Sequence, residues 1–313
     1  MSVRKNNTKA ASAEGGRPSS KVYEIVTKTI LKSMMDGEIP WRKTFVTREN
    51  PHPFTNYITG KPYSLINGLL LGVPGQYATM KQINDRGGRV NKGSKSKIVI
   101  YWGEYIPKDK QEEAKRLEEE GKDTSHLKVR FPKYYPVFNV ADTTGLPEKA
   151  EEKAPSMVRA EDPTDIADMV VKDYRANEGV DVRTDNASEP AYLAESDTVV
   201  LPEKTSFTFE EDFYASLFDQ LVHSTAPASR CDRKKEYEKL QERDVTVKEE
   251  ILADIASSMI LAVTGMRRTE THEQIAADCQ RYVEAMNRDY RLIVNAASAA
   301  EKAAKYILGR FAV

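Results

Sequence analysis

Residues 217–223 read Leu-Phe-Asp-Gln-Leu-Val-His. Around them Phe213, Tyr214, Leu217, Phe218, Leu221 and Val222 recur at helical spacing, so 210–223 is predicted to be a helix with one apolar face. Ser216, Asp219, Gln220 and His223 are left on the opposite stripe. Donor side chains one turn apart are how a single helix grips a metal ion. In the hydrolytic pattern, His-Glu-x-x-His, the residue after the first ligand is a Glu that acts as general base. Here the slots hold Asp219, Gln220 and His223. A carboxylate can ligate a metal, but an amide has no basic form near neutrality, so Gln220 cannot take a proton from water.

Downstream, helices are predicted at 245–263, 272–288 and 290–309. Ile251, Leu252, Ile255 and Met259 face the core of the first, and Glu250 and Asp254 stand one turn apart on another face. Upstream, a helix at 163–176 precedes short strands at 191–194 and 198–201. A charged stretch bearing Pro147 and Pro155 separates this half from the rest, which sets a linker at 148–161 and a domain at 162–313.

The remaining half has a different balance. Residues 1–147 hold 25 Lys/Arg against 15 Asp/Glu, and the rest hold 22 against 33, within a net charge of −1. At 313 residues the chain is long enough for two domains, each able to bury its own core, and opposite charge suggests separate tasks. The basic half is the candidate for a polyanion. Cys231 and Cys279 form no CxxC pair and accompany four histidines, which excludes a zinc finger or iron–sulfur site and fits a reducing compartment. Residues 1–19 are small and polar, hence a disordered tail without an apolar signal segment. The densest apolar run, within 64–75, is far too short to span a membrane, so a cytoplasmic protein is expected.

In the basic half, Val22, Ile25, Val26, Ile30 and Met34 mark a helix that Gly37 ends, and 40–62 is mainly loop. Strands are predicted at 98–102 and 134–140, with a charge-dense helical insertion at 108–123 between them. Arg89, Lys92, Lys95 and Lys97 follow Gly87-Gly88 and surround Gly93, where glycine backbone and cations together suit phosphates. Trp41, Tyr57, Tyr63, Tyr77, Tyr101, Trp102, Tyr105, Tyr134 and Tyr135 interleave with these charges. Cations on phosphates and flat rings under unstacked bases are how single strands are held. The same rings would serve a core equally well: Tyr101 and Trp102 alternate along a strand, and Trp41 after Pro40 has the setting of a core anchor.

The chain resembles the ArdC family of antirestriction proteins carried by mobile elements. The resemblance rests on Pro40-Trp41, 56–63 (NYITGKPY), 66–71 (INGLLL), 77–82 (YATMKQ), 87–93 (GGRVNKG), 98–102 (IVIYW) and 137–140 (VFNV). It continues through Tyr192, Asp197, Leu201-Pro202, 218–225, 230–233 (RCDR) and 249–254 (EEILAD). It implies an α+β protein of two domains: an N-terminal single-stranded-DNA-binding domain at 20–147 and a mainly helical, zincin-like metallopeptidase domain with a small sheet. The DNA-contacting residues expected on this basis are Trp41, Arg42, Tyr57, Lys61, Tyr63, Lys81, Arg89, Lys92, Lys95, Lys97 and Trp102.

By the same resemblance Glu250 is the third-ligand candidate, with Glu249 as the competing assignment and Asp254 as its neighbour. Asp219 and Gln220 replace the family's first His and its base, and Ala226 replaces a Gly. The expected catalytic set is therefore empty, with Asp219, Gln220, His223, Glu250 and Asp254 as a degenerate site. No cofactor is expected; Asp219, His223 and Glu250 are the donors for any residual divalent ion. His223 alternatively caps the C-terminus of its helix. The expected partner is single-stranded DNA. Two competing functions are a metal-dependent hydrolase that recruits Glu249 or Asp254 as base, and a module whose acidic half docks on a restriction or replication protein.

Overall fold

The computed structural model describes residues 18–43, 50, 52–147, 162–185, 189–233 and 242–312. The expected linker lies outside these residues, as does the tail up to residue 17. Pro18 and Ser19 belong to helix α1 (Pro18–Met35) rather than to the tail; a proline in the first turn sacrifices no hydrogen bond. Val22, Val26, Ile30 and Met34 are buried along α1, and Gly37, at φ +79°, closes it.

A single 3-10 turn, Pro40–Arg42, leads into β1 (Phe54–Asn56), α2 (Leu65–Leu71), β2 (Gly75–Ala78), α3 (Met80–Asp85) and β3 (Arg89–Val90). Then come β4 (Lys97–Tyr105), α4 (Gln111–Glu119), β5 (Val129–Asn139) and β6 (Thr143–Thr144). One sheet runs β1-β2-β5-β4, and β3 pairs with β6. The two expected strands are the long antiparallel pair β4 and β5, in register from Lys97 opposite Val137 to Tyr105 opposite Val129. β4 is an edge strand, and a side chain from α2 pairs its outer backbone at Ile100. Asn67 of α2 donates to the Ile100 carbonyl at 3.0 Å and accepts from the Ile100 N–H at 2.7 Å.

Register fixes which side chains share a face. Asn56 pairs with Tyr77 and Tyr77 with Asn139, so alternation puts Phe54, Tyr77, Val137, Tyr135 and Lys133 on one side. Their β4 partners Lys97, Val99 and Tyr101 join them. Phe54, Tyr77, Val99 and Val137 make this face a small buried cluster with Leu71.

The acidic half contains α5 (Pro163–Glu178), β7 (Asp181–Asp185), β8 (Ala191–Leu193), β9 (Thr198–Pro202), α6 (Glu210–Ser224), α7 (Glu242–Thr264), α8 (His272–Arg288) and α9 (Leu292–Leu308). Its sheet runs β7-β9-β8, parallel on one side and antiparallel on the other. β7 was not expected, because Asp-Val-Arg-Thr-Asp offers a single apolar residue; backbone pairing to the buried β9 recruits it. Among the described residues no helix is long and apolar enough to cross a membrane.

The expectation of two separate cores needs correction. The α+β class and the two-domain order hold, but α1, the Pro40–Arg42 turn and α2 share one buried cluster with α5, α6, α7, α8 and α9. α1 packs on α8 and α9, and α2 on α9. A fragment of residues 20–147 therefore exposes Val26, Ile30, Leu70 and Trp41. Expressed alone, it is expected to lack a cooperative thermal transition by circular dichroism, whereas the full chain melts in one. A sharp transition in the fragment would show that the shared core is dispensable.

Candidate metal centre and nucleic-acid face

α6 forms as its pattern predicts. Glu210, Glu211 and Asp212 stand in its first turn, where the helix dipole favours anions. Phe213, Tyr214, Leu217, Phe218, Leu221 and Val222 are buried, while Asp219, Gln220 and His223 are half-buried. The side chains opposite them decide the chemistry.

Asp219 accepts a hydrogen bond from Arg268 Nη2 at 2.7 Å. The same guanidinium nitrogen donates to Ser257 and lies 3.8 Å from Asp254. His223 Nδ1 lies 3.4 Å from Glu249 Oε2. Arg233, itself buried, grips both oxygens of Glu249 from Nε and Nη2 at 3.0 and 3.1 Å. It also donates to the Val222 carbonyl at 3.0 Å and to Thr225 Oγ1 at 2.5 Å, closing the end of α6. Arg230, from the same RCDR run, binds Asp197, the Ser224 carbonyl and Glu178, and Tyr192 donates to Asp197 at 2.7 Å.

Glu250 does not face His223. It points toward α8, where Arg281 lies 3.5 Å away, so the residue opposite His223 is the competing candidate Glu249. One residue along a helix turns a side chain by about 100°, which suffices to exchange the two. Asp254 is buried and accepts from Trp41 Nε1 at 3.0 Å and from Arg42 Nη2 at 2.7 Å. Arg42 reaches Glu270 and Asp278 as well. Burial pushes the Asp254 carboxyl up, but the Arg268 and Arg42 charges and the Trp41 N–H outweigh it and hold it below the usual range.

This donor set does not fit a metal ion. Asp219 is held by Arg268, both oxygens of Glu249 are held by Arg233, and two fixed cations oppose a dication. Among the described residues no three His, Cys, Asp or Glu side chains converge as a ligand group. With an amide at Gln220, the position of the hydrolytic base holds no group able to activate water.

The expected DNA contacts divide. Trp41 and Tyr57 are buried, the latter donating to the Pro147 carbonyl at 2.7 Å, and Arg42 is spent on three carboxylates. These three belong to the core. Trp102 is half-buried between Tyr23 and Arg130, and Tyr63 is half-buried beside Asn56. Lys61, Lys81, Arg89, Lys92, Lys95 and Lys97 are exposed, with Lys81 paired to Asp85. The Gly87-Gly88 amides are not open to a phosphate. Gly87 donates to Asn84 and Gly88 to Ile83, both at 3.0 Å, which ends α3 in a Schellman motif with Gly87 at φ +79°.

Sequence reasoning left the open end of the sheet out of the expected contacts. Tyr101, Tyr105 and Tyr135 are 64, 51 and 43 % exposed. Tyr101 lies opposite Lys133 on the face that carries Tyr135. The signal was present as the alternation Tyr101-Gly103-Tyr105, which lies opposite Lys133, Phe131 and Val129.

Comparison with known proteins agrees with this arrangement. Residues 20–138 match the family described as the N-terminal domain of anti-restriction factor ArdC, and residues 170–299 match a zincin-like metallopeptidase family. The first part of the chain is thus similar to the ArdC N-terminal domain and the second to a zincin-like metallopeptidase domain. The metal-free crystal structure of the antirestriction ArdC protein from the R388 plasmid superposes with a TM-score of 0.66 at 28 % identity, covering 93 % of this chain and 98 % of that one. The Mn(II)-bound form of that protein gives a TM-score of 0.65 at 27 % identity, with the same coverage. Two Escherichia coli proteins named DNA primase TraC are 28 % identical over 305 residues, covering 94 % and 91 % of this chain. The chain spans 20 % and 27 % of their length. The ArdC protein from R388 was thus solved both free of metal and with Mn(II).

Two outcomes follow from the arginines. Asp219→His with Gln220→Glu is expected to leave the protein without stoichiometric zinc by plasma mass spectrometry, and zinc is retained once Arg268→Ala is added. Zinc in the double variant would refute blockage by Arg268. Asp254→Asn is expected to cost about 3–5 kcal/mol in urea unfolding at neutral pH, because it strands buried arginines. The folded pKa of Asp254 lies below its unfolded value, so its contribution is present at neutral pH and lost as pH falls through the folded value. The gap between wild type and variant therefore narrows below about pH 4.

Proposed function

We propose that this ArdC-like protein binds single-stranded DNA on the open face of β4 and β5, as an antirestriction-type protein of a mobile element. Its metallopeptidase-like half then serves as scaffold and does not hydrolyse peptides. The observation that carries this reading is the exposed group Tyr101, Tyr105 and Tyr135 around Lys133. Rings left open to water on a protein surface, interleaved with cations, suit unstacked bases and phosphates of any sequence. Lys133 lies 5.0 Å from the Phe131 ring, and Tyr105 meets that ring edge-on at 5.3 Å, so the platform is organised before a strand arrives. Lys97 opens β4 on the same face, and the loop before it brings Lys92 and Lys95. The larger relatives named DNA primase carry a matching segment, which supports contact with DNA.

Fluorescence anisotropy with the full chain tests this. Tyr101→Ala with Tyr135→Ala is expected to weaken binding of a thymidine oligonucleotide by about 2 kcal/mol or more, since each stacked base contributes ~1–3 kcal/mol. The salt slope should stay unchanged. Lys97→Ala with Lys133→Ala should instead flatten the log–log salt slope by about 0.7 for each phosphate no longer neutralised. Wild-type affinity and slope in both double variants would overturn the assignment of this face.

A further inference from the structure

Between the two halves lies a cavity of about 370 Å³, which neither the arginine-filled centre nor the tyrosine face accounts for. Its floor is apolar and buried: Phe54 and Leu69 from the N-terminal half, Val263 from α7 and Leu308 from α9. Tyr63 forms a half-buried wall. Around it stand Lys43, His52 and Lys305, all exposed and drawn from both halves; Lys43 pairs with Glu38 and Lys305 with Glu301, which also lines the cavity, so a phosphate would compete with two exposed ion pairs. Ser258 of α7 also lines the cavity, and its buried hydroxyl has no hydrogen-bond partner. Its neighbour Ser257, by contrast, donates to the Ala253 carbonyl at 2.8 Å.

An apolar chamber at the small end of ligand-pocket volumes, with a flat ring on its wall and cations at its edge, fits a planar base that carries a phosphate. The hydroxyl adds a donor and acceptor able to meet the edge of any base. Location supports the same occupant. Phe54 lies on the same sheet face as Tyr135 and Tyr101, with the buried Tyr77, Val99 and Val137 between them, so the chamber and the strand surface belong to one sheet. We propose that the chamber binds one nucleotide, its base against Tyr63 and the apolar floor and its phosphate toward Lys43 and Lys305. This rests on the single-strand reading above; the same chemistry is offered by a residue of a bound strand and by a free mononucleotide. Because the walls come from both halves, a bound base would tie α7 and α9 to the N-terminal sheet.

The test uses the full chain with thymidine monophosphate and, separately, a thymidine oligonucleotide. Trp41 lines the chamber, so nucleotide entry is read as a saturable change in tryptophan emission, and the oligonucleotide by anisotropy. Ser258→Leu fills the space without breaking a hydrogen bond, and Lys43→Glu with Lys305→Glu reverses the edge charge without touching the core. Both are expected to abolish the monophosphate signal and to weaken the oligonucleotide at least about tenfold. Tyr101→Ala with Tyr135→Ala should keep the monophosphate signal. No saturable monophosphate signal, together with wild-type oligonucleotide affinity in the charge-reversed variant, overturns the chamber and leaves the strand face standing. Saturable monophosphate binding that Ser258→Leu abolishes, in a protein that binds no oligonucleotide, overturns the strand face and makes the chamber a free-nucleotide site. Neither ligand bound by wild type overturns both. If Ser258→Leu melts early, the charge-reversed variant decides.

Discussion

Asp254 is a carboxylate buried away from bulk water, and the chain surrounds it with donors from separate segments. Trp41 and Arg42 come from the first turn after α1, Arg268 comes from the stretch between α7 and α8, and α7 supplies the aspartate itself. An ionised group at that depth is tolerable only while paired, so the N-terminal turn is held wherever α7 goes. The shared apolar core follows from this pin. With Trp41 fixed against Tyr282, 5.8 Å between ring centroids, α1 and α2 are held between the sheet strands β4 and β5 and the helices α8 and α9.

The pin also explains where the charge asymmetry goes. A basic half and an acidic half suggested two solvated bodies with separate partners. Part of that difference is consumed internally: Arg42 alone meets Asp254, Glu270 and Asp278. Burial raises the Glu270 carboxyl, and the Arg42 and Arg268 charges only partly offset it. What remains for a polyanion is the exposed surface around Arg89–Lys97 and Lys133, smaller than the sequence balance implies.

Periodicity made α6, α7 and the β4–β5 pair legible, because each buries a continuous face and the spacing of apolar residues is that face. The loss of the base at Gln220 was equally legible, since it depends on one side chain's chemistry and not on its surroundings. What could not be read was every pairing between distant segments. Arg268 reaches Asp219 across forty-nine positions, and nothing in either local pattern announces it. Trp41 illustrates the same limit. A ring with a polar N–H suits a base or a core, and only the buried carboxylate facing it decides. Glu249 and Glu250 are adjacent acids on one helix, so the choice between them turned on where α6 and α8 pack around α7.

A zincin scaffold ordinarily places donors on two helices around a dication, whose charge offsets the acids that converge on it. Here acids stand at Asp219, Glu249 and Asp254, with an amide at Gln220 between Asp219 and His223. Positive charge is then required from elsewhere, and Arg268 and Arg233 deliver it as covalent parts of the chain. A guanidinium needs no loading and cannot lose a proton near neutrality, so its pairs with these acids hold wherever the acids are ionised. The exchange has a structural cost: arginine demands directed hydrogen bonds, which is why Thr225, Ser257 and the Val222 carbonyl are drawn into the site. Arginine side chains stand where this centre would otherwise be open. Room of another kind lies at the junction with the N-terminal sheet, where α7 and α9 help to line a cavity of about 370 Å³.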